Sequence, residues 1–219
     1  LIRRLPILTY QIFTMQTEIT IVGDVHGKIN EYHDIIQACD YSICVGDFGF
    51  KREWDWFLDN IFDSTKNQHW INPGNHDYGP NMRYQINGST GNYSYFDQFD
   101  IFTVRGADSI DKHLRTNGID WFENEELNYS EQLAAYDSYV FHKPKIMITH
   151  DCPQSVMLQL FPISWSYGAS QTRTMLDHML LAHQPDIWLF GHHHRSVNHQ
   201  INNTRFICLN ELETYKIKV

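Results

Sequence analysis

Ile19-Thr20-Ile21-Val22-Gly23-Asp24-Val25-His26-Gly27 is the stretch on which the fold turns. Its apolar opening reads as a buried strand, and a helical pattern begins at Lys28-Ile29-Asn30-Glu31 just beyond it. A carboxylate and an imidazole two residues apart, released between glycines at a strand end, can both turn toward one point above a sheet, which suits a metal ion. Taken alone, the stretch fits equally an aspartate that caps the helix beside an ordinary surface histidine. Four echoes change the reading. Val45-Gly46-Asp47, Asn72-Pro73-Gly74-Asn75-His76-Asp77, Ile148-Thr149-His150-Asp151 and Phe190-Gly191-His192-His193-His194 each close a further apolar run.

Working outward, Ile29, Tyr32, Ile35, Ile36 and Cys39 recur at three- and four-residue spacing, an amphipathic helix over 29–38. A second strand follows over 41–45. Strand, helix and strand with Asp24 and Asp47 each behind a strand imply parallel neighbours joined by a crossover, so both loops leave on one edge. Ligands of such sheets bind outside the carboxyl ends of the strands. Further helices are expected over 53–62, 128–142 and 170–182, the last with Ser170 as N-cap. Further strands are expected over 69–72, 99–104, 145–149 and 186–190, and a closing meander over 196–201, 205–209 and 214–219. Residues 153–167 read as aromatic and irregular. Residues 78–97 lose all periodicity and carry Tyr84, Tyr93, Tyr95 and Phe96. A loop of that length beside a ligand block reads as substrate-facing, with a local packing cluster of aromatics as the alternative.

The chain of 219 residues, 42% apolar and 14% aromatic, fits one domain with one sizeable core. Met15 stands just before the first strand and reads as the natural start, which makes 15–219 the domain and 1–14 a non-native or disordered extension. That extension begins basic then apolar, as a signal peptide does, but Pro6 and Thr9-Tyr10-Gln11 interrupt it and no small-residue cleavage site follows. A formal charge of −9 excludes the basic face that duplex nucleic acid requires, but not a small anionic substrate at a bound cation. No apolar run approaches the roughly 18 residues of a membrane span. Cys39, Cys44, Cys152 and Cys208 show no paired spacing and read as reduced thiols, which places the protein in the cytoplasm.

Asp24, His26, Asp47, Asn75, His150, His192 and His194 form the candidate inner sphere, all nitrogen and oxygen donors without a thiolate. Such a set suits manganese first, and iron, zinc or nickel as well. It is larger than one ion needs. Two divalent ions sharing one carboxylate account for it, and a pair about 3.5–4 Å apart supports in-line displacement at phosphorus by a hydroxide held between them, with a nearby imidazole protonating the leaving oxygen.

The five blocks, in this order and spanning 19–194, resemble the signature of the calcineurin-like metallophosphoesterases. The resemblance implies an α/β fold, a four-layer αββα sandwich of two mixed sheets flanked by helices, with the dimetal site at the carboxyl ends of the strands. It further implies that Asp24, His26 and His194 hold one metal, that Asn75, His150 and His192 hold the other, and that Asp47 bridges. His76 matches the family's histidine that contacts the scissile phosphate and protonates the leaving group, while His193 falls between two ligand positions and is expected to turn away. The Ser/Thr protein phosphatase branch continues its second block as Gly-Asp-x-Val-Asp-Arg-Gly and ends its third in Glu. Here the chain reads Gly46-Asp47-Phe48-Gly49-Phe50-Lys51-Arg52 and ends the third block in Asp77. The acid partner of the histidine and the phosphate-gripping arginine of that branch are thus missing from their places. Arg52, Arg83, Arg105 and Arg173 are the candidate substitutes, with solvated surface as the alternative reading of each. Asp77 either orients His76 or caps the next turn.

A phosphomonoester dianion needs more positive charge than a diester monoanion, so the chain reads as closer to the phosphodiesterase-type members. The expected substrate is a small phosphoester such as a cyclic nucleotide or nucleotide-type diester. Aromatics of 78–97, Trp165 or Tyr167 would stack on it. The alternatives are a phosphomonoesterase, including a protein phosphatase, and a non-catalytic scaffold on the same fold.

Overall fold

The structure is a computed structural model that describes residues 16–62, 68–77, 88–162 and 170–219. The expectations placed on residues 1–14 and 78–87, Arg83 and Tyr84 among them, and on Trp165 and Tyr167 lie outside these residues.

Two mixed sheets form the centre. The first orders β10 (Thr214–Lys218), β1 (Glu18–Val22), β2 (Ser42–Cys44) and β3 (His69–Ile71), with β1, β2 and β3 parallel and β10 antiparallel. The second orders β4 (Tyr93–Phe96), β5 (Ile101–Val104), β6 (Ile146–Thr149), β7 (Ile187–Phe190), β9 (Thr204–Cys208) and β8 (Val197–Ile201). Its four inner strands are parallel and its two edges antiparallel. The helices are α1 (Ile29–Ile36), α2 (Lys51–Asn60), α3 (Tyr129–His142), α4 (Gln154–Leu160) and α5 (Gln171–Ala182).

Alternation along the strands sorts side chains between layers. Ile19 and Ile21 of β1, Ile43 of β2, Ile148 of β6, Leu189 of β7 and Ile207 of β9 share one cluster, which is the core between the sheets. Their neighbours face outward. Val22 and Cys44 join Tyr32 of α1 and Trp54 and Phe57 of α2, so those helices cover the first sheet. Met147, Trp188, Phe190, Phe206 and Cys208 join Tyr139 of α3, Met157 of α4 and Met179 of α5, which cover the second. The result is the αββα sandwich. The caps follow local chemistry: Asn128 accepts from the backbone N–H groups of Ser130 and Glu131, and Ser170 accepts from that of Arg173.

Three expectations are corrected. Residues 154–160 are a helix, seven residues long, whose buried Val156 and Met157 are too few to show a period. Within the described part of 78–97, Tyr93–Phe96 is an edge strand rather than aperiodic loop, with Tyr93 stacked on Phe102 and Phe96 packed edge-on against Trp70. The last three strands are not a meander. β8 and β9 form a hairpin whose second strand lies parallel to β7, and β10 crosses to the other sheet to pair with β1.

Ile43 is fully buried between the sheets, whereas Leu181 on α5 is largely exposed. Ile43→Ala is expected to lower unfolding free energy by about 2–5 kcal/mol, and Leu181→Ala by no more than about 0.5 kcal/mol, measured by urea denaturation.

Candidate metal centre

Carboxyl ends of strands from both sheets meet at one end of the sandwich. The loops after β1, β2 and β3 carry Asp24, His26, Asp47 and Asn75, and those after β6 and β7 carry His150, His192 and His194. Four of these residues, His26, Asp47, His192 and His194, hold φ between 46° and 63°. The left-handed region is unfavourable for side chains other than glycine, by about 1–3 kcal/mol each, and persists where the surroundings enforce it. Enforcement is visible: the amides of Val25 and His26 donate to the carbonyl of Asp47 at 3.1 and 2.7 Å, and that of His192 donates to Asp24 Oδ2 at 2.9 Å. Two glycines let the loops close. A Cβ on Gly74 would lie 2.2 Å from Asp47 Oδ1, and one on Gly191 would lie 2.1 Å from Asp24 Oδ1.

Two groups of side chains face each other here. In the first, His26 Nε2 lies 2.9 Å from His194 Nε2 and 4.0 Å from Asp24 Oδ2, and His194 Nε2 lies 3.5 Å from that oxygen. In the second, His150 Nε2 lies 3.0 Å from Asn75 Oδ1 and 3.3 Å from Asp47 Oδ1, with His192 edge-on to the His150 ring. Asp47 joins the groups, since its Oδ2 lies 3.9 Å from His26 Nε2. Donors about 2.1 Å from one ion sit about 3–3.5 Å apart, and the spacings within the two groups run from 2.9 to 4.0 Å.

The electrostatics fit a cation. Asp24 is fully buried and its Oδ1 has no hydrogen-bond partner, although buried polar atoms are ordinarily paired. Burial, reinforced by the charge of Asp47, pushes its carboxyl up to about 8. Burial would lower His150, but the adjacent Asp47 outweighs it and carries the imidazole up to about 10. That imidazole in turn holds Asp47 below the usual carboxylate range against the effect of burial. Burial pushes His26 and His76 down, and His192 far down. His26 and His192 are thus kept neutral, as a divalent ion requires of its imidazole ligands, whereas His150 holds a proton that an ion would have to displace.

A second tier orients these donors. Val45 O accepts from His150 Nδ1 at 3.2 Å, which leaves Nε2 toward the cluster. Asn75 Nδ2 donates to Ser109 Oγ at 2.9 Å, and Ser109 is held by Glu125, so the amide oxygen faces His150. Asp77 accepts from the amides of Gly49 and Gly74 at 2.9 and 2.8 Å and so clamps two ligand loops together rather than orienting His76. His193 donates to Asp151 Oδ1 at 3.0 Å and stacks on Phe161, outside both groups.

The candidate arginines divide. Arg105 is buried on Asn92 and the carbonyls of Asn124 and Glu125, and Arg173 is buried on Asp151 at 2.6 Å. Arg52 lies at the rim against Glu53. Arg115, absent from the candidates drawn from sequence, touches His76 Nδ1 at 3.1 Å. His76 in turn donates its backbone N–H to Asp47 Oδ1 at 2.9 Å. Two clefts of about 530 and 340 Å³ open on either side and share Asp47, His76, Arg115 and His194 in their walls. A wider groove of about 660 Å³ between α3 and α5 contains none of the candidate ligands.

The sequence profile of the calcineurin-like phosphoesterases matches residues 17–196, which include every candidate ligand. The chain belongs to that family. Among solved structures, the chain superposes on a phosphopantetheinyl hydrolase of Mycobacterium tuberculosis with a TM-score of 0.53 at 14% identity, covering 90% of each chain. It superposes on a dimetal phosphatase of Danio rerio with a TM-score of 0.53 at 11% identity, covering 90% of this chain and 88% of that one. A Staphylococcus aureus protein with a provisional 5′-nucleotidase designation gives a TM-score of 0.54 at 15% identity over 92% of this chain, which spans half of that protein. These likenesses establish the fold alone. A search of curated proteins returned no match. The family implies a dimetal centre, and the residues present fit one. Among the described residues, no helix is long and apolar enough to cross a membrane.

Two outcomes follow for the phosphoesterase. Gly74→Ala is expected to push Asp47 aside and lower metal content after dialysis against manganese, with far-ultraviolet circular dichroism unchanged. In metal-stripped protein, native Asp24 (about 8, ordinary 3.8) keeps a proton that the unfolded chain gives up. Stability is therefore present at low pH and lost as pH rises toward 8, and His150 acts in the same direction between 6.5 and about 10. The melting temperature of the stripped protein should be lower near about pH 9 than near about pH 6, and Asp24→Asn should narrow the difference.

Proposed function

We propose that this phosphoesterase hydrolyses small, accessible phosphodiesters of the nucleotide type at a pair of divalent ions, manganese first by donor chemistry and otherwise iron, zinc or nickel. Asp24, His26 and His194 would hold one ion, Asn75, His150 and His192 would hold the other, and Asp47 would be shared between them. Bound there, a pair of divalent ions would supply positive charge against the phosphoryl oxygens and would lower the pKa of a water for attack at phosphorus. His76 contacts the phosphate and assists the leaving oxygen. Its backbone N–H meanwhile holds Asp47 in place.

The observation that carries the diester reading is the state of the rim guanidiniums. Arg52 is paired with Glu53 at 2.8 Å, and Arg115 is paired with Asp111 through two contacts of 2.7 and 2.8 Å. Each is balanced by a carboxylate, so the rim adds little positive charge beyond the ions, which suits a monoanion better than a dianion. Phe50, 52% exposed, lines the same cleft as His26 and His76 and offers a ring on which a base or aryl group stacks. Within this reading residues 15–219 act as one domain in the cytoplasm on a small substrate, without duplex nucleic acid or a membrane as partner.

The test is hydrolysis of a matched aryl phosphodiester and aryl phosphomonoester by metal-stripped protein after separate addition of manganese, zinc, nickel and iron. Faster, metal-dependent cleavage of the diester is expected. Preference for the monoester would overturn the diester reading, and no hydrolysis by fully metallated protein would favour a scaffold. His76→Ala should keep its metal and lose about 10²–10³-fold in kcat, the usual effect of removing one positioned donor.

A further inference from the structure

His76 and Arg115 meet in a way that fixes where the imidazole carries its proton. A guanidinium has N–H groups only and accepts no hydrogen bond. In the contact of 3.1 Å, Arg115 Nη1 is therefore the donor and His76 Nδ1 the acceptor. The ring proton then sits on Nε2.

Arg115 has little freedom to do otherwise. Its Nε and Nη2 donate to the two oxygens of Asp111 at 2.7 and 2.8 Å, and Nη1 also donates to the carbonyl of Asp120 at 3.1 Å. The guanidinium plane is thus set from two sides, on a short 3-10 turn, Lys112–Leu114, whose last amide bonds bring Arg115 beside the cleft. His76 is also fixed through its backbone N–H on Asp47. Both partners are positioned before any substrate arrives.

An imidazole that accepts a guanidinium N–H at Nδ1 has no second proton on that nitrogen. Giving up the proton on Nε2 would leave an imidazolate, so the ring donates a hydrogen bond and keeps the proton. An acid partner on Nδ1 would do the reverse, since a carboxylate accepts from Nδ1–H and supports a ring protonated on both nitrogens. We propose that Arg115 is a positioning residue that fixes His76 as an Nε2–H hydrogen-bond donor to the leaving oxygen, in place of a proton-transferring acid. The consequence is a preference for diesters whose leaving oxygen departs as an anion, aryloxide or phosphate, over those that release a simple alkoxide.

In bond terms, the incoming oxygen forms the new P–O bond, the P–O bond to the leaving group breaks, and that oxygen leaves with the electron pair. His76 stabilises the departing charge through Nε2–H, and water protonates the product afterwards. This inference rests on the diester reading for its consequence, but its structural core, the tautomer, does not.

The experiment therefore has two readouts. In protein labelled with nitrogen-15 at histidine and loaded with zinc, long-range proton–nitrogen spectra are expected to show His76 with a pyridine-type Nδ1 and a pyrrole-type Nε2. Arg115→Met should lose that single form. A pyrrole-type Nδ1 in the unsubstituted protein would overturn the proposal whether or not any ester is cleaved, so the tautomer is decided even if the proposed activity fails. The second readout is kcat over diesters with good and poor leaving groups. The unsubstituted enzyme should depend steeply on the leaving group. Arg115→Met, which removes the Nη1–H donor and with it the fixed tautomer, should reduce the ratio of good to poor rates by about tenfold or more, within the usual reach of general-acid catalysis. An equal loss for all substrates, or a rise in KM alone, would mean that Arg115 serves folding or grips the substrate, and would overturn the proposal. Asp111→Asn, which loosens Arg115 without removing it, should shift both readouts in the same direction by less.

Discussion

Two carboxylates held out of water at the seam between two sheets are the constraint on which the rest of this structure depends. Asp24 and Asp47 are both essentially inaccessible. Taking a carboxylate into a protein interior costs several kcal/mol unless opposite charge and hydrogen bonds compensate it. The surrounding imidazoles compensate only in part: Asp24 Oδ1 has no hydrogen-bond partner and His150 Nδ1 stands 3.7 Å away. A cation is what balances the cluster, and the strained loop residues and close-packed glycines hold the carboxylates ready for it.

The centre is also built in tiers. Donors on five strand ends are aimed by backbone carbonyls, by the Glu125, Ser109 and Asn75 chain, and by Asp77 between two loops. Outer-tier groups of this kind set ring orientation and tautomer, and their loss commonly weakens a metal site without any change in the ligands themselves. Arg115 extends the same logic from the ligands to His76.

What could be read from sequence was local. The ligands stand directly behind apolar runs, so a strand followed by Gly-Asp or Gly-His is visible in a few consecutive residues. Ser170 announced its helix in the same way. What could not be read is what distance along the chain conceals. Arg115 lies thirty-nine residues from His76 and Ser109 thirty-four from Asn75, on loops with no apolar period to place them. Helix α4 is too short for a period, and Tyr93–Phe96 is an edge strand whose alternation of aromatics with a single serine resembles a polar loop. Arg105 and Arg173 were legible as residues but not as buried, because the aspartate, asparagine and carbonyls that receive them come from remote segments.

The pairing of β10 with β1 bears on how the molecule assembles. Glu18 lies opposite Lys218 in the register, so the strand that delivers Asp24 is flanked on one side by residues two hundred positions later. The loop before β10 also grips it: Leu212 donates its amide to Asp24 O at 2.9 Å, and Gly23 donates to Glu213 O at 2.8 Å. Closing so long a chain segment is an entropic cost that the β1–β10 pairing and these loop contacts have to offset. The loop that carries Asp24 is thus held by the same long-range closure that gives the first sheet its edge.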